Sequence, residues 1–501
     1  MSDSLPMESR TGLIGSLLSR AESEGLYAVL RFEERRGRSV AVEGEKVDAV
    51  ESIFAGGLGV QVFTDTGHNG FAAVDDPGED RSHAALERAM AAARAAEEAG
   101  LSAMPGILRA EKTVGRHVPD VPYAFDHLTV GEMREATVAF ARLALEAAGD
   151  LAVRTGFGLS RSDWRIARSD GTDVTFSIPR SHAGVVVTAR RDGQAVRTNA
   201  SVPATSYETI LDEEPRGKLV ARTTRAAALA RDLLDAPSYP AGTVPLLIDF
   251  ALAKGLAHEA FGHAAETDGL TSSILGDGGR FRTGEMFGGE NVTIIDESFE
   301  ADNAFQPFSG NGVPRRRAVI LDHGVLKEAL ADVHTADRAG TPVTGAGRLS
   351  GFGVPPLPRM TNIRLEVDDP FPVPGGKDFY DWTPEEVRDL LVTAGDLPDG
   401  RKVLFLSGYR GGQVNPALGD FVFNSTAMYE LTRDSVTLYK PGIFSGRIEA
   451  ALHSIERGYG PLRLDAAGTC GKAGQGVPSS GGSHHFLLMS ENDDIRIGGR
   501  S

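Results

Sequence analysis

The segment His258-Glu259-Ala260-Phe261-Gly262-His263 places a carboxylate beside the first of two imidazoles, and Glu266 and Asp268 follow closely. Imidazole is the commonest protein ligand for a transition metal, and a neighbouring carboxylate is a ready general base. These residue types therefore point to metal-assisted hydrolysis. The spacing differs from that of the zinc-peptidase helix H-E-x-x-H, which stacks its histidines at i and i+4 on one face. On a regular helix five positions advance by about 500°, which leaves the two rings ~140° apart and unable to share an ion. An i→i+5 bulge realigns them, and Gly262, inside the interval, is the residue best able to take the distorted backbone. The expectation is a locally wound-out helix. The competing reading is two unconnected helical histidines.

Catalytic zinc typically has three protein ligands and an open position, so a histidine pair is one ligand short. The chain's single cysteine stands in Gly468-Thr469-Cys470-Gly471-Lys472-Ala473-Gly474-Gln475. A thiolate binds zinc well, but a lone cysteine also serves as a small buried hydrophobe. Should Cys470 prove too distant, Glu266 is the reserve ligand.

The elements that position these residues can be read from pattern. A strand-like run at 244–250 leads into the helix of His258 and His263. Upstream, residues 12–25 have helical spacing, 26–32 and 40–47 read as strands, and 57–63 with 70–74 read as a hairpin around Asp65-Thr66-Gly67. An Ala-rich helix is expected over 82–99 with Ser82 as its N-cap, and further helices over 130–148 and 217–234. Residues 101–125, with Pro105, Pro119 and Pro122, read as a connector, and strands are expected at 165–168, 174–178 and 185–189. Downstream, 276–289 reads as a glycine-rich loop beside the site, and short strands follow, interrupted by a helix over 383–394. The fold class is α+β: an N-terminal α/β half with an antiparallel sheet and helices, then a β-rich half. Turn chemistry divides the chain into 1–100, 125–236 and 242–501, with the Pro- and Gly-bearing stretch 236–242 as the best boundary.

The 501-residue chain carries a net charge of −17, from 52 Lys+Arg against 69 Asp+Glu, which argues against a nucleic-acid partner. No apolar run reaches the ~18 residues of a spanning helix, and the first ten residues lack a basic, then apolar, leader pattern. With one cysteine and hence no internal disulfide, the expected location is the cytoplasm.

Taken together, HEAFGH with Glu266 and Asp268, Pro358-Arg359-Met360-Thr361-Asn362, Gly411-Gly412-Gln413-Val414-Asn415-Pro416, Phe421-Val422-Phe423 and GTCGKAGQ resemble the TldD/PmbA family of bacterial and archaeal metallopeptidases. The similarity runs over nearly the whole chain. The resemblance implies the metal-bearing TldD type, with one zinc ion per chain on His258, His263 and Cys470, and Glu259 as base. It further implies a homodimer, or a heterodimer with a PmbA/TldE-type paralogue, acting on unfolded or short peptides. Glu266 and Asp268 are candidates for orienting the ligand imidazoles, and Gly411, Gly412 and Gln413 for a sheet edge that holds substrate. Three alternatives stay open: a pathway-specific hydrolase of a peptidic or modified small metabolite, a non-catalytic subunit stabilised by its metal, and a helix and tail that never meet, so that no metal site forms. His484-His485 and 273–289 lie outside the family pattern.

Overall fold

The computed structural model describes residues 10–121, 125–204, 210–300, 302–375, 377 and 379–498. Residues 1–9, and Pro122 of the expected connector, lie outside this set.

One seven-stranded sheet dominates the first half: β1 (Tyr27–Glu43), β2 (Lys46–Phe63), β3 (Asn69–Asp75), β4 (Val114–His117), β5 (Ala152–Arg168), β6 (Asp173–Arg191) and β7 (Gln194–Ala204), in the order β3-β2-β1-β5-β6-β4 with β7 also on β6. All its pairings are antiparallel except that of β4 with β6. Stretches 1–100 and 125–236 thus feed strands into the same sheet. Helices α1 (Thr11–Ser23) and α2 (Glu79–Glu98) bury Leu17, Ala21, Leu86 and Met90 against Leu30, Leu58 and Val60. Helices α3 (Val130–Ala148) and α4 (Glu213–Asp235) bury Phe140 and Leu219 against Phe157 and Val185. Each such Leu, Val, Met or Phe side chain withdrawn from water contributes about 1.5–3 kcal/mol.

Three expectations are corrected here. The strands at 26–32 and 40–47 are one, β1, because charged residues 33–38 find lateral partners: Arg35 and Arg36 bond Glu33 and Glu34, and the backbone pairs with both β2 and β5. The separate runs 165–168, 174–178 and 185–189 are parts of two long strands, β5 and β6. The N-cap of α2 is Gly78, and Ser82 lies buried inside the helix, its apolar surroundings leaving the hydroxyl no capping role.

The second half is built on a thirteen-stranded mixed sheet. Its centre runs β9 (Asn362–Val367), β13 (Gln475–Met489), β8 (Leu246–Asp249), β10 (Val403–Asn415) and β11 (Asp420–Leu431). Every residue of β8 is buried, flanked by β10 in parallel and β13 antiparallel. Hairpin β12 (Gly468–Lys472) with β13 sets Cys470 opposite Val477. The helix expected over 383–394 is Pro384–Ala394, closed by a Thr383/Glu386 capping box. The glycine-rich run 276–289 is partly structured, since Gly276–Asp277 and Arg280–Phe281 pair as a small hairpin. Among the described residues no helix is long and apolar enough to cross a membrane.

Candidate metal centre

Strand β8 ends at Asp249, whose carboxylate accepts from the amides of Ala251 at 3.1 Å and Leu252 at 3.0 Å and starts helix α5 (Phe250–Gly255). A carboxylate at this position satisfies amides that have no partner within the helix. The chain then winds as a π-helix over Leu256–Gly262, and the amide of His263 donates to the carbonyl of His258. This is the i→i+5 bond that the histidine spacing requires. Gly262 does not take the distorted backbone expected of it, since its dihedrals are ordinary helical ones (φ −60°, ψ −45°); glycine is needed there for space, because a Cβ would meet Met360 Sδ at 2.2 Å, Ala257 O at 2.9 Å and, on β9, Ile363 Cδ1 at 3.0 Å.

The winding brings the His258 and His263 rings to 5.2 Å between centroids, nearly perpendicular. The β12–β13 hairpin delivers Cys470, with Sγ 3.4 Å from His263 Nε2. One donor atom from each of His258, His263 and Cys470 lies within 4.8 Å of the other two. His258 is fully buried, and among the described residues neither of its ring nitrogens has a hydrogen-bond partner. An imidazole stranded in this way costs free energy unless something binds it, and a thiolate beside two imidazoles is a donor set suited to zinc. The residues present therefore fit a metal ion.

The surroundings set the charge of each ligand. Burial, reinforced by the Lys254 ammonium, drives His258 well below the ordinary histidine value, which leaves the neutral ring that ligation needs. Burial would also lower His263, but the Glu266 carboxylate and the Cys470 sulfur outweigh it and push that ring up to about 10. For Cys470, burial would raise the thiol; its contact with His263 and the nearby Arg359 guanidinium hold it below the usual value. Arg359 Nε lies 3.3 Å from the sulfur, and Arg359 also bonds the Cys470 carbonyl. In a metal-free site, sulfur and imidazole share a proton that a cation would displace.

Glu259 stands beside this cluster, with Oε2 3.7 Å from His263 Nε2. Glu266 bonds His263 Nδ1 at 2.9 Å, fixing that ring from behind. Asp268 does not reach a histidine; instead Lys472 Nζ holds Asp268 at 2.6 Å and Glu266 at 2.7 Å. Gly411, Gly412 and Gln413 lie in β10, with Gly412 and Gln413 paired to Phe423 and Val422 of β11. On its other side β10 pairs with β8 only over Leu404–Leu406, so among the described residues the edge from Tyr409 to Asn415 is open. Tyr409, on that edge, reaches the Glu259 carboxylate. His484 lies apart from the cluster, bonded to Gly460 O and the Val367 amide.

Four residues near the cluster carry no signal of their own in sequence: Lys254, Arg359, Tyr409 and Lys472. Arg359 and Lys472 sit inside the motifs already singled out, and Lys254 precedes His258 by one helical turn. Tyr409 had no such marker.

Residues 241–460 match the PmbA/TldA metallopeptidase C-terminal domain, and residues 28–97 match PmbA/TldA metallopeptidase domain 1. The chain belongs to the PmbA/TldD family of metallopeptidases. A metalloprotease of Methanothermobacter thermautotrophicus is 28% identical over 495 residues, which is 97% of this chain and 99% of that protein. A zinc metalloprotease TldD homolog of Saccharolobus solfataricus is 24% identical over 262 residues, 52% of each chain. TldE from Thermococcus kodakarensis, known as a crystal structure, shares the fold with a TM-score of 0.73 at 16% identity, over 97% of this chain and 100% of that one. Within the PmbA/TldD family, this chain holds a His, His and Cys cluster on its π-helix and late hairpin.

Proposed function

We propose that this protein is a zinc-dependent peptidase of the TldD type that hydrolyses peptide bonds in unfolded or short peptides. One ion per chain would be held by His258, His263 and Cys470. The observation that carries the reading is His258: a fully buried ring with two unpartnered nitrogens, facing a histidine and a cysteine. The name of the Saccharolobus relative supports zinc as the metal.

When bound, the metal would supply Lewis acidity towards a peptide carbonyl and towards water. Glu259 would serve as the base, its carboxylate taking up a proton and returning it to the leaving amine. Tyr409 lies beside the same carboxylate, placed to keep the base aimed at the cluster. Glu266 orients His263, and Lys472 offsets the charge of Glu266 and Asp268. The open edge of β10 receives the substrate backbone as an added strand, a mode that suits extended chains and refuses folded ones.

Pairing with a second copy or with a TldE-type paralogue belongs to the same reading and rests on the family resemblance. A thiolate ligand persists best in a reducing compartment, which supports a cytoplasmic location. Glu259→Gln tests the reading: the variant keeps its zinc and loses peptide hydrolysis by about 10²–10⁴-fold. Undiminished hydrolysis in that variant would remove Glu259 from the role of base.

A further inference from the structure

A cavity of about 330 Å³ opens between the first sheet and the segments around Arg348 and Val477. Its walls are apolar on one side, where Trp164 and Phe176 stack at 6.3 Å, and positively charged on the other. Arg348, fully buried, bonds only neutral acceptors: Gln306 Oε1 at 3.0 Å, Pro478 O at 2.8 Å, Ala304 O at 3.4 Å and Met360 O. Arg180 bonds Asn303 O at 2.7 Å and Phe305 O at 3.3 Å.

The acids nearby are already engaged. Glu33, which lines the cavity, is held by Arg35 at 2.7 Å and by the Phe352 amide at 3.0 Å. Asp302, whose charge reaches both guanidiniums, accepts from Ser480, Asn362 and the Ala304 amide. Among the described residues, two guanidinium charges thus face one cavity without an ion pair of their own. Burial accordingly lowers Arg180 to about 10 and Arg348 to about 9, and both stay charged at neutral pH. Guanidinium forks favour planar oxyanions, and a carboxylate joined to an apolar body matches both walls.

We propose that this cavity takes the last residue of a peptide substrate, with Arg180 pairing with its carboxylate, the charge of Arg348 adding attraction, and Trp164 and Phe176 enclosing its side chain. The inference rests on the peptidase reading above. Its placement fits that role: Val477 lines the cavity and is the strand partner of Cys470, one strand spacing (about 4.8 Å) away. A peptide anchored here presents bonds near its own C-terminus to the metal cluster.

The test is binding without turnover. A labelled apolar hexapeptide is titrated against the full-length Glu259→Gln protein as free acid, as C-terminal amide, and as an amide ending in glutamate. The free acid binds about tenfold or more tighter than the amide, and Arg180→Gln erases the difference. Restored affinity of the glutamyl amide assigns the carboxylate to a side chain rather than to the chain end. Equal binding of acid and amide, absence of binding by any of the three, or an unchanged preference in Arg180→Gln overturns the proposal. The acid-to-amide comparison needs no substitution in the cavity, so a folding defect in the arginine variant leaves the test intact. Failure of the peptidase reading is seen separately, as wild-type protein that binds peptides and hydrolyses none.

Discussion

Cys470 Sγ lies 3.4 Å from His263 Nε2 although 207 residues separate them in the chain. The contact is the product of two local structures that meet: a π-helical turn after β8 and a tight hairpin, β12–β13, whose long second strand pairs with β8. Because β13 also pairs with β9, on which Gly262 presses, sheet and helix hold the sulfur and the rings in one frame.

Glu266 bonds the far nitrogen of His263, which fixes the orientation of the ring. Glu266→Gln weakens metal affinity by about 10–100-fold, read by competition with a chelator. An unchanged affinity would leave Glu266 as a partner of Lys472 alone.

Gly262→Ala puts a methyl group where Met360 Sδ would be 2.2 Å away. The overpacking costs about 1–3 kcal/mol and shifts the turn that aligns the histidines. Thermal denaturation shows the loss of stability, and metal content falls with it. A variant of wild-type stability and metal content would deny the π-turn its dependence on glycine.

Asp249 is buried, and desolvation raises it from 3.8 to about 6 despite its bonds to the amides of Gly408, Leu252 and Ala251. The folded state therefore binds this proton more tightly than the unfolded chain. Its contribution is greatest below pH ~4 and is lost as pH rises to about 6, a change of about 3 kcal/mol. Asp249→Asn removes that slope, and denaturant titrations of both proteins at pH 4, 5 and 6 measure it. The same slope in wild type and variant would contradict the assignment.

Residue types and spacing carry part of this site openly. The five-residue interval between His258 and His263 calls for an i→i+5 turn if the two rings are to share one ion, while leaving open that they are unconnected. The partner of that turn is not legible locally, because nothing in GTCGKAGQ says which strand will pair with β8. Lys254 and Tyr409 escape notice for the same reason: each gains its role from a neighbour in space. In the fold, turn residues such as Gly171 and Gly193 mark their positions, both with positive φ. The unbroken length of β1 is hidden by its charged middle, whose side chains pair with one another along the strand while the backbone pairs with β2 and β5.

The account turns on Cys470 and the two imidazoles holding one ion together. Zinc content per chain, measured on purified wild-type protein beside Cys470→Ala, tests this most directly. The expected result is about one zinc per wild-type chain and a small fraction of that in the variant. Equal zinc in both proteins, or none in the wild type, would contradict it.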